Sequence, residues 1–356
     1  MKVNWYYSTK KTTHQAREIS PADFAVNTES LLLIIGIAAA ICGNKIQPKF
    51  ASLKASEKIL IVIAGPTAVG KTDLAIKLAQ HFHTEIVSAD SRQIFKELTI
   101  GTAKPSAREL ALVPHHFVNS RSISESYDAA QYGNEALEVI KTLFQQYDHV
   151  IVCGGSGLYI KALLEGFDDI PGVPAHIREH LSDQYLSHGI SWLQQQMMEL
   201  DAEYYSQIDV QNPHRLIRAL EVKMGTGESI GSFRKNTKRK LDFTVIKIGL
   251  ELNRDELYRR IDDRMDQMIA DGLFEEAQAV YPFRDHQALQ TVGYQEIFDF
   301  LDGKYEREEA IRLLKRNSRR YAKRQLTWFK RDEDIKWFDA ASADAIISFV
   351  EQYGRE

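Results

Sequence analysis

Residues 59–72 read ILIVIAGPTAVGKT, an aliphatic run that stops at Gly65 and passes through a glycine-rich loop into residues 73–82, DLAIKLAQHF, whose apolar positions recur at helical spacing. A buried strand followed by a crossover helix opens a βαβ unit, so the predicted fold class is α/β, with a parallel sheet flanked by helices. Gly65, Gly70, Lys71 and Thr72 satisfy the spacing G-x-x-x-x-G-K-[ST] of a phosphate-binding loop. The spacing has a chemical reason. The two glycines let the backbone turn tightly so that its N–H groups face an anion, and the helix beyond adds the positive end of its dipole. Lys71 supplies a point charge for the outer phosphate, and the Thr72 hydroxyl a ligand for Mg²⁺. The motif identifies an anion and leaves the reaction open.

Outward from this loop, residues 85–89 (EIVSA) read as a second strand. Asp90 then stands at its carboxyl end, where open parallel sheets place ligands and where a carboxylate serves as general base, cap or metal ligand. Residues 91–106 carry turn signals at Gly101 and Pro105 and read as an active-site loop. Residues 127–144 have helical period, and residues 149–153 (HVIVC) form a third buried strand that runs into Gly154, Gly155, Ser156 and Gly157. A nucleotide hydrolase with this loop commonly ends such a strand on an acidic residue that holds Mg²⁺. Its absence here argues against ordinary ATP hydrolysis and leaves phosphoryl transfer to a small molecule open. Past Pro171 and Pro174 the chain is polar and helical to about residue 226, and strand composition returns at 243–250 (FTVIKIGL), so the helical stretch reads as an insertion. Charged helices over 254–270 and 272–280 and a long one over 306–330 follow.

The chain of 356 residues, 44% hydrophobic, is long enough for two or three packed units. Expected boundaries are a leader over 1–56 with no fold assigned, a catalytic core over 57–170, a helical insertion over 171–240, core completion over 241–338 and a C-terminal helix over 339–356. The apolar run 31–42 is shorter than the ~20 residues of a membrane span and lacks a clear cleavage site. It reads as an accessory helix, or the leader reflects a start codon placed too early. Cys42 and Cys153 are too few for a disulfide framework, consistent with a reducing, cytoplasmic setting. His115 and His116 have no third ligand at zinc spacing and read as structural.

A net charge of −4 conceals an asymmetry. Residues 311–331 hold nine Lys/Arg and no acid, in pairs every three or four residues that stack along one side of a helix, the footprint of polyanion contact. Arg234, Lys235, Lys238, Arg239 and Lys240 form a second cluster, and His214, Arg215 and Arg218 a third. Arg260 and Arg264 share a helical face and either point toward Lys71 or pair with neighbouring aspartates.

Read together, GPTAVGKT, SADSRQIFKELTIGTAKP, PHHF, GGSGLYIKALLEG, RLIRALEV, ELYRRIDDRMDQM, TVGYQE and KRNSRRYAKRQLTWF resemble, in this order, the tRNA dimethylallyltransferase (tRNA isopentenyltransferase) family across residues 59–338. The resemblance implies a P-loop kinase-like core, and prenyl transfer from dimethylallyl diphosphate to N6 of the adenine 3′ of the anticodon. Gly65, Pro66, Thr67, Ala68, Val69, Gly70, Lys71 and Thr72 would then cradle the diphosphate with Arg264 and Mg²⁺. Asp90 matches the family's base, and Ser156 stands where the family has threonine beside the substrate. Implied tRNA contacts are Asp90, Ser91, Arg92, Gln93, Ser156, Arg178, His214, Arg215, Leu216, Ile217, Arg218, Gln290, Gly293, Tyr294, Gln295, Arg319, Lys323, Arg324 and Gln325. Asn119 departs from the aspartate common after PHHF, and the leader has no counterpart in compact bacterial members. A cytoplasmic monomer with no membrane partner is expected. The competing readings are a small-molecule or nucleoside kinase, from the same loop and carboxylate, and a non-enzymatic RNA-binding protein, from the basic helix.

Overall fold

The computed structural model describes residues 57–234 and 238–353. The leader and its apolar run, Cys42 and Lys235 lie outside the described residues. The chain opens on β1 (Ile59–Ala64) and α1 (Lys71–His81), followed by β2 (Ile86–Ser88), a long loop, α2 (Ala107–Leu112) and the edge strand β3 (His115–His116). Next come α3 (Ala129–Leu143), β4 (His149–Gly154) and α4 (Gly157–Glu165). Five helices precede the next strand: α5 (Ala175–His188), α6 (Ile190–Leu200), α7 (Ala202–Tyr205), α8 (Pro213–Thr226) and α9 (Ile230–Phe233). The remainder is β5 (Thr244–Glu251), α10 (Arg254–Ala270), α11 (Leu273–Val280), α12 (Gln295–Leu301), α13 (Arg307–Phe329), β6 (Lys336–Asp339) and α14 (Ala343–Tyr353).

The six strands are parallel, in the order β3-β2-β4-β1-β5-β6. In β1, Ile59, Ile61 and Ile63 face one layer, formed with Leu74 and Leu78 of α1, Ile261 of α10, and Ile346 and Val350 of α14. Leu60, Val62 and Ala64 face the other, with Ile140 of α3 and Leu163 of α4. Because both faces are covered, the strand shows no polar alternation, which is why it reads as an unbroken aliphatic run. The return of 243–250 to the sheet is seen directly: β5 lies beside β1, with Ile246 opposite Ile61. Helices α5 to α9 pack around their own apolar cluster, which includes Leu181, Leu193, Met197, Leu216 and Leu220.

Two strands were not foreseen. β3 and β6 are edge strands of two and four residues, too short for period to distinguish them from loop. The expected boundary between 338 and 339 falls inside β6. The terminal helix starts at Ala343 and is part of the main core through Ile346 and Val350.

Candidate active site

The loop between β1 and α1 takes the shape its glycines allow. Gly65 has φ +151° and a Cβ there would stand 2.8 Å from the carbonyl oxygen of Leu250, while Gly70 is left-handed at φ +103°. Val69 packs in the core and offers the anion only its backbone N–H, while buried Pro66, which has no N–H, offers no donor. No side chain caps α1, whose first N–H groups are thereby left for a ligand. Lys71 Nζ donates to the Pro66 carbonyl at 2.7 Å. Burial pushes its ammonium down to about 8, against the pull of Cys153 and Asp90, with Arg264 adding to the fall. Arg264 reaches over from α10 and donates to Thr67 Oγ1 at 3.3 Å. Its guanidinium is lowered by burial, with Asp90 opposing. Arg260 lines the same cavity but pairs with Glu256 on its own helix at 2.7 Å.

Asp90 follows β2 and caps its own turn: Oδ1 accepts from the backbone N–H groups of Arg92 (2.9 Å) and Gln93 (3.3 Å). Its other oxygen has no hydrogen-bond donor among the described residues. Ser156, at the end of the β4 loop, accepts from the Ser91 N–H at 2.9 Å and donates to Ser91 Oγ at 3.1 Å, fixing the residue next to the carboxylate. Gln93 turns inward and donates to the Thr102 and Ala103 carbonyls at 3.2 and 3.1 Å, so it shapes the 90–104 loop. Asn119, left-handed at φ +53°, accepts from Lys104 Nζ at 2.6 Å.

These residues line a cavity of about 360 Å³ whose character changes along α10, from Arg260 and Arg264 to Met265 and Met268. Eight residues of helix rise ~12 Å. Leu273 and Val292 extend the apolar part, and Lys71, Thr72 and Asp90 the polar part. A second cavity, about 650 Å³, shares with the first a wall of Arg92, Gly155, Tyr321 and Gln325. It shares Leu158 and Trp328 with a third, about 830 Å³, where His214, Arg215, Arg218, Arg234 and Lys238 converge with Lys161 of α4. Two basic clusters separate in sequence thus become one groove. Arg239 does not join it, because it donates to the carbonyls of Gly133 and Leu163.

The long helix is less uniformly basic than its sequence. Arg319 Nη1 donates to both oxygens of Asp262 at 2.5 and 2.7 Å, Lys315 pairs with Asp266, Arg312 with Glu309 and Lys330 with Glu251. Arg320, Lys323 and Arg324 remain exposed with no acidic partner among the described residues. Replacing Lys323 and Arg324 together by Ala should therefore reduce the slope of log affinity for RNA against log salt by roughly 1.4, at ~0.7 for each single-strand phosphate contact. Arg319→Ala should instead lower the melting temperature. Filter-binding titrations across salt check the first, and an unchanged slope would make this face passive.

Four residues expected at RNA are placed otherwise by packing. Leu216 and Ile217 belong to the insertion's core, and Tyr294 is fully buried with its hydroxyl on Glu276 at 2.6 Å. Gln325, 7% exposed, accepts from the Thr67 N–H and donates to the Gly155 carbonyl, both at 2.9 Å. Arg178 and Arg218 are half-tied, sharing the buried carboxylate of Glu221 at 3.1 and 3.2 Å. Gln290 and Gln295 are exposed and bond each other.

Sequence reasoning missed Tyr321 as a wall residue, and missed Glu276. Glu276 accepts from the N–H groups of Thr99, Ile100 and Gly101 at 2.8–2.9 Å and so holds the loop that lines the first cavity from Gly101 to Ala103. An acid in the first turn of a helix reads as a dipole partner, which hid that function.

The chain matches the IPP transferase family over residues 93–332. It is 51% identical to a tRNA dimethylallyltransferase of Cytophaga hutchinsonii over 83% of its own length and 97% of the other's. A tRNA dimethylallyltransferase of Christiangramia forsetii is also 51% identical, over 79% and 93% of the two chains. Among solved structures, the tRNA isopentenylpyrophosphate transferase of Bacillus halodurans is 37% identical and superposes with a TM-score of 0.62, covering 84% of this chain and 97% of that one. A eukaryotic dimethylallyltransferase acting on tRNA is 26% identical, with a TM-score of 0.65 over 83% and 77%.

Proposed function

The chain belongs to the IPP transferase family, and from that premise we propose that it transfers a dimethylallyl group from dimethylallyl diphosphate to N6 of A37, the adenine 3′ of the anticodon in tRNA. The products are N6-(dimethylallyl)adenosine and diphosphate. The observation that carries the reading is the donor cavity, in which the phosphate loop, Lys71 and Arg264 continue into Met265 and Met268 of α10, Leu273 of α11 and Val292, with Asp90 on the same lining. A molecule with a highly charged head and a short branched hydrocarbon tail matches that division.

In the reaction N6 attacks C1 of the prenyl group, the C1–O bond breaks, and its electron pair leaves with the diphosphate. Asp90 accepts the proton that N6 sheds, and because the exocyclic amine is a weak nucleophile this help is needed during attack. Lys71 and Arg264 stabilise charge as it grows on the departing oxygen. The Thr72 hydroxyl lines the cavity, while no cluster of three potential metal-ligating side chains occurs among the described residues. That donor set suits Mg²⁺, which binds through few protein ligands and mainly through substrate phosphates and water. When bound it would neutralise diphosphate charge.

RNA would approach from the opposite side, over the basic groove and the exposed face of α13. Because the target lies in a single-stranded loop, swinging its adenine out of the stack costs less than it would in a duplex. With both substrates in place between the two cavities, water would be kept from the allylic diphosphate. A cytoplasmic site of action goes with a tRNA substrate, and no helix among the described residues is long and apolar enough to cross a membrane. The test is the mass of nucleosides digested from an unmodified anticodon stem-loop after incubation with protein, Mg²⁺ and dimethylallyl diphosphate. One added C5H8 on adenosine is expected. Unaltered adenosine from RNA shown to be bound would overturn the reading, and ATP would then be tried as the donor of a phosphoryl group.

A further inference from the structure

Gln325 is the only side chain of α13 that hydrogen-bonds to the phosphate loop among the described residues, and it does so from the middle of the wall between two cavities. Its carboxamide has two arms. The oxygen accepts from Thr67 N–H, in the loop whose Thr67 hydroxyl also meets Arg264. The nitrogen donates to the carbonyl of Gly155. Gly155 precedes Ser156, and Ser156 holds Ser91, the neighbour of Asp90. One arm therefore reaches the residues around the leaving group and the other reaches the residues around the base.

The fit at Gly155 is close. A Cβ there would stand 2.4 Å from Gln325 Nε2, and Gly155 has no positive φ that would by itself exclude alanine. We infer that Gln325 is a positioning residue, which holds the donor loop and the base loop in register so that C1 of the prenyl group and the proton-accepting carboxylate meet the adenine at once. This rests on the prenyl-transfer reading. Its place on α13, one residue from exposed Arg324, joins that register to the helix on which RNA would rest. Asparagine has the same carboxamide on a stem one methylene shorter, so from α13 it would fall short of the two backbone groups.

Gln325→Ala should lower kcat by about 10- to 100-fold, the scale expected when reacting groups are misplaced by about 1 Å. KM for donor and RNA should stay within a few-fold, and the melting temperature should fall by a few degrees because two backbone groups lose their partner. Gly155→Ala, which pushes the carboxamide aside, should give a similar loss. The double variant should be no worse than either single one, since the two act through one contact. Independent losses that multiply, or a normal kcat in Gln325→Ala, would overturn the inference. Amide exchange supplies a readout that does not need turnover: the Thr67 N–H should exchange at least tenfold faster in Gln325→Ala, and unchanged exchange would also overturn it. If the wild-type protein transfers no prenyl group, the functional reading fails, while the exchange measurement still decides whether Gln325 holds the loop.

Discussion

Asp90→Asn lowers the single-turnover rate of prenyl transfer by about 10²- to 10⁴-fold, the range for loss of a positioned acid–base group, and leaves donor and RNA affinity within a few-fold. Asparagine is the informative substitution because of how Asp90 is held. Its Oδ1 accepts from the N–H groups of Arg92 and Gln93, and a carboxamide oxygen can do the same, so the turn that carries Ser91 and Arg92 keeps its shape. What disappears is the negative charge and an oxygen able to take a proton. Alanine removes the charge and both loop bonds together, so Asp90→Ala should also disturb the backbone at Arg92 and Gln93. Rapid-quench measurement with enzyme in excess separates chemistry from product release. An Asp90→Asn protein that reacts at the normal rate would remove the carboxylate from the reaction, and the proton would then have to leave by another route.

The fold's centre was legible because its signals are local. Residues 59–72 contain the strand, both glycines and the lysine within fourteen consecutive positions, and position at a strand's carboxyl end was enough to single out Asp90. What sequence could not supply was the partner of a charge. Arg319 looks like part of a nucleic-acid face until Asp262 arrives from α10, fifty-seven positions earlier, and takes it bidentately. Period alone gives the side of a helix and leaves out what stands opposite. Gln325 was grouped with the cations beside it for the same reason, although it turns to the buried side.

The GGSG segment shows a different limit. In the sequence it registers as a missing acid. In the structure it has a positive reason: a Cβ on Gly154 would lie 2.1 Å from the Ala89 carbonyl oxygen, and one on Gly157 would lie 2.1 Å from Trp328 Nε1. The glycines let β2 and α13 close on the end of β4, which brings Asp90 and the wall of the second cavity together. The absence of the acid and the closeness of these elements are one feature, since a side chain long enough to hold a metal would also keep α13 away.

Lys71→Met should lower kcat/KM for the prenyl donor by about 10²- to 10³-fold, the scale for removing one preorganised donor at a centre of developing charge. Much of the loss should fall on kcat, because the bridging oxygen carries more charge as the C1–O bond breaks than in the bound donor. Wild-type pH dependence gives a second handle on the same residue. In the ligand-free site burial holds the Lys71 ammonium down to about 8, and an adjacent diphosphate would raise it again. A group whose pKa is lower in the free than in the bound state takes up a proton on binding. Donor affinity should thus be full below pH 8 and fall, by up to about tenfold per unit, as pH rises from there toward the raised value. Methionine keeps much of the side chain's length and carries no proton, so that fall should vanish in Lys71→Met while the overall affinity is lower. Calorimetric titration with dimethylallyl diphosphate between pH 7 and 9.5 measures both. An identical pH slope in the two proteins would show that another group titrates, and Lys71 would then be a fixed charge whose contribution is independent of pH.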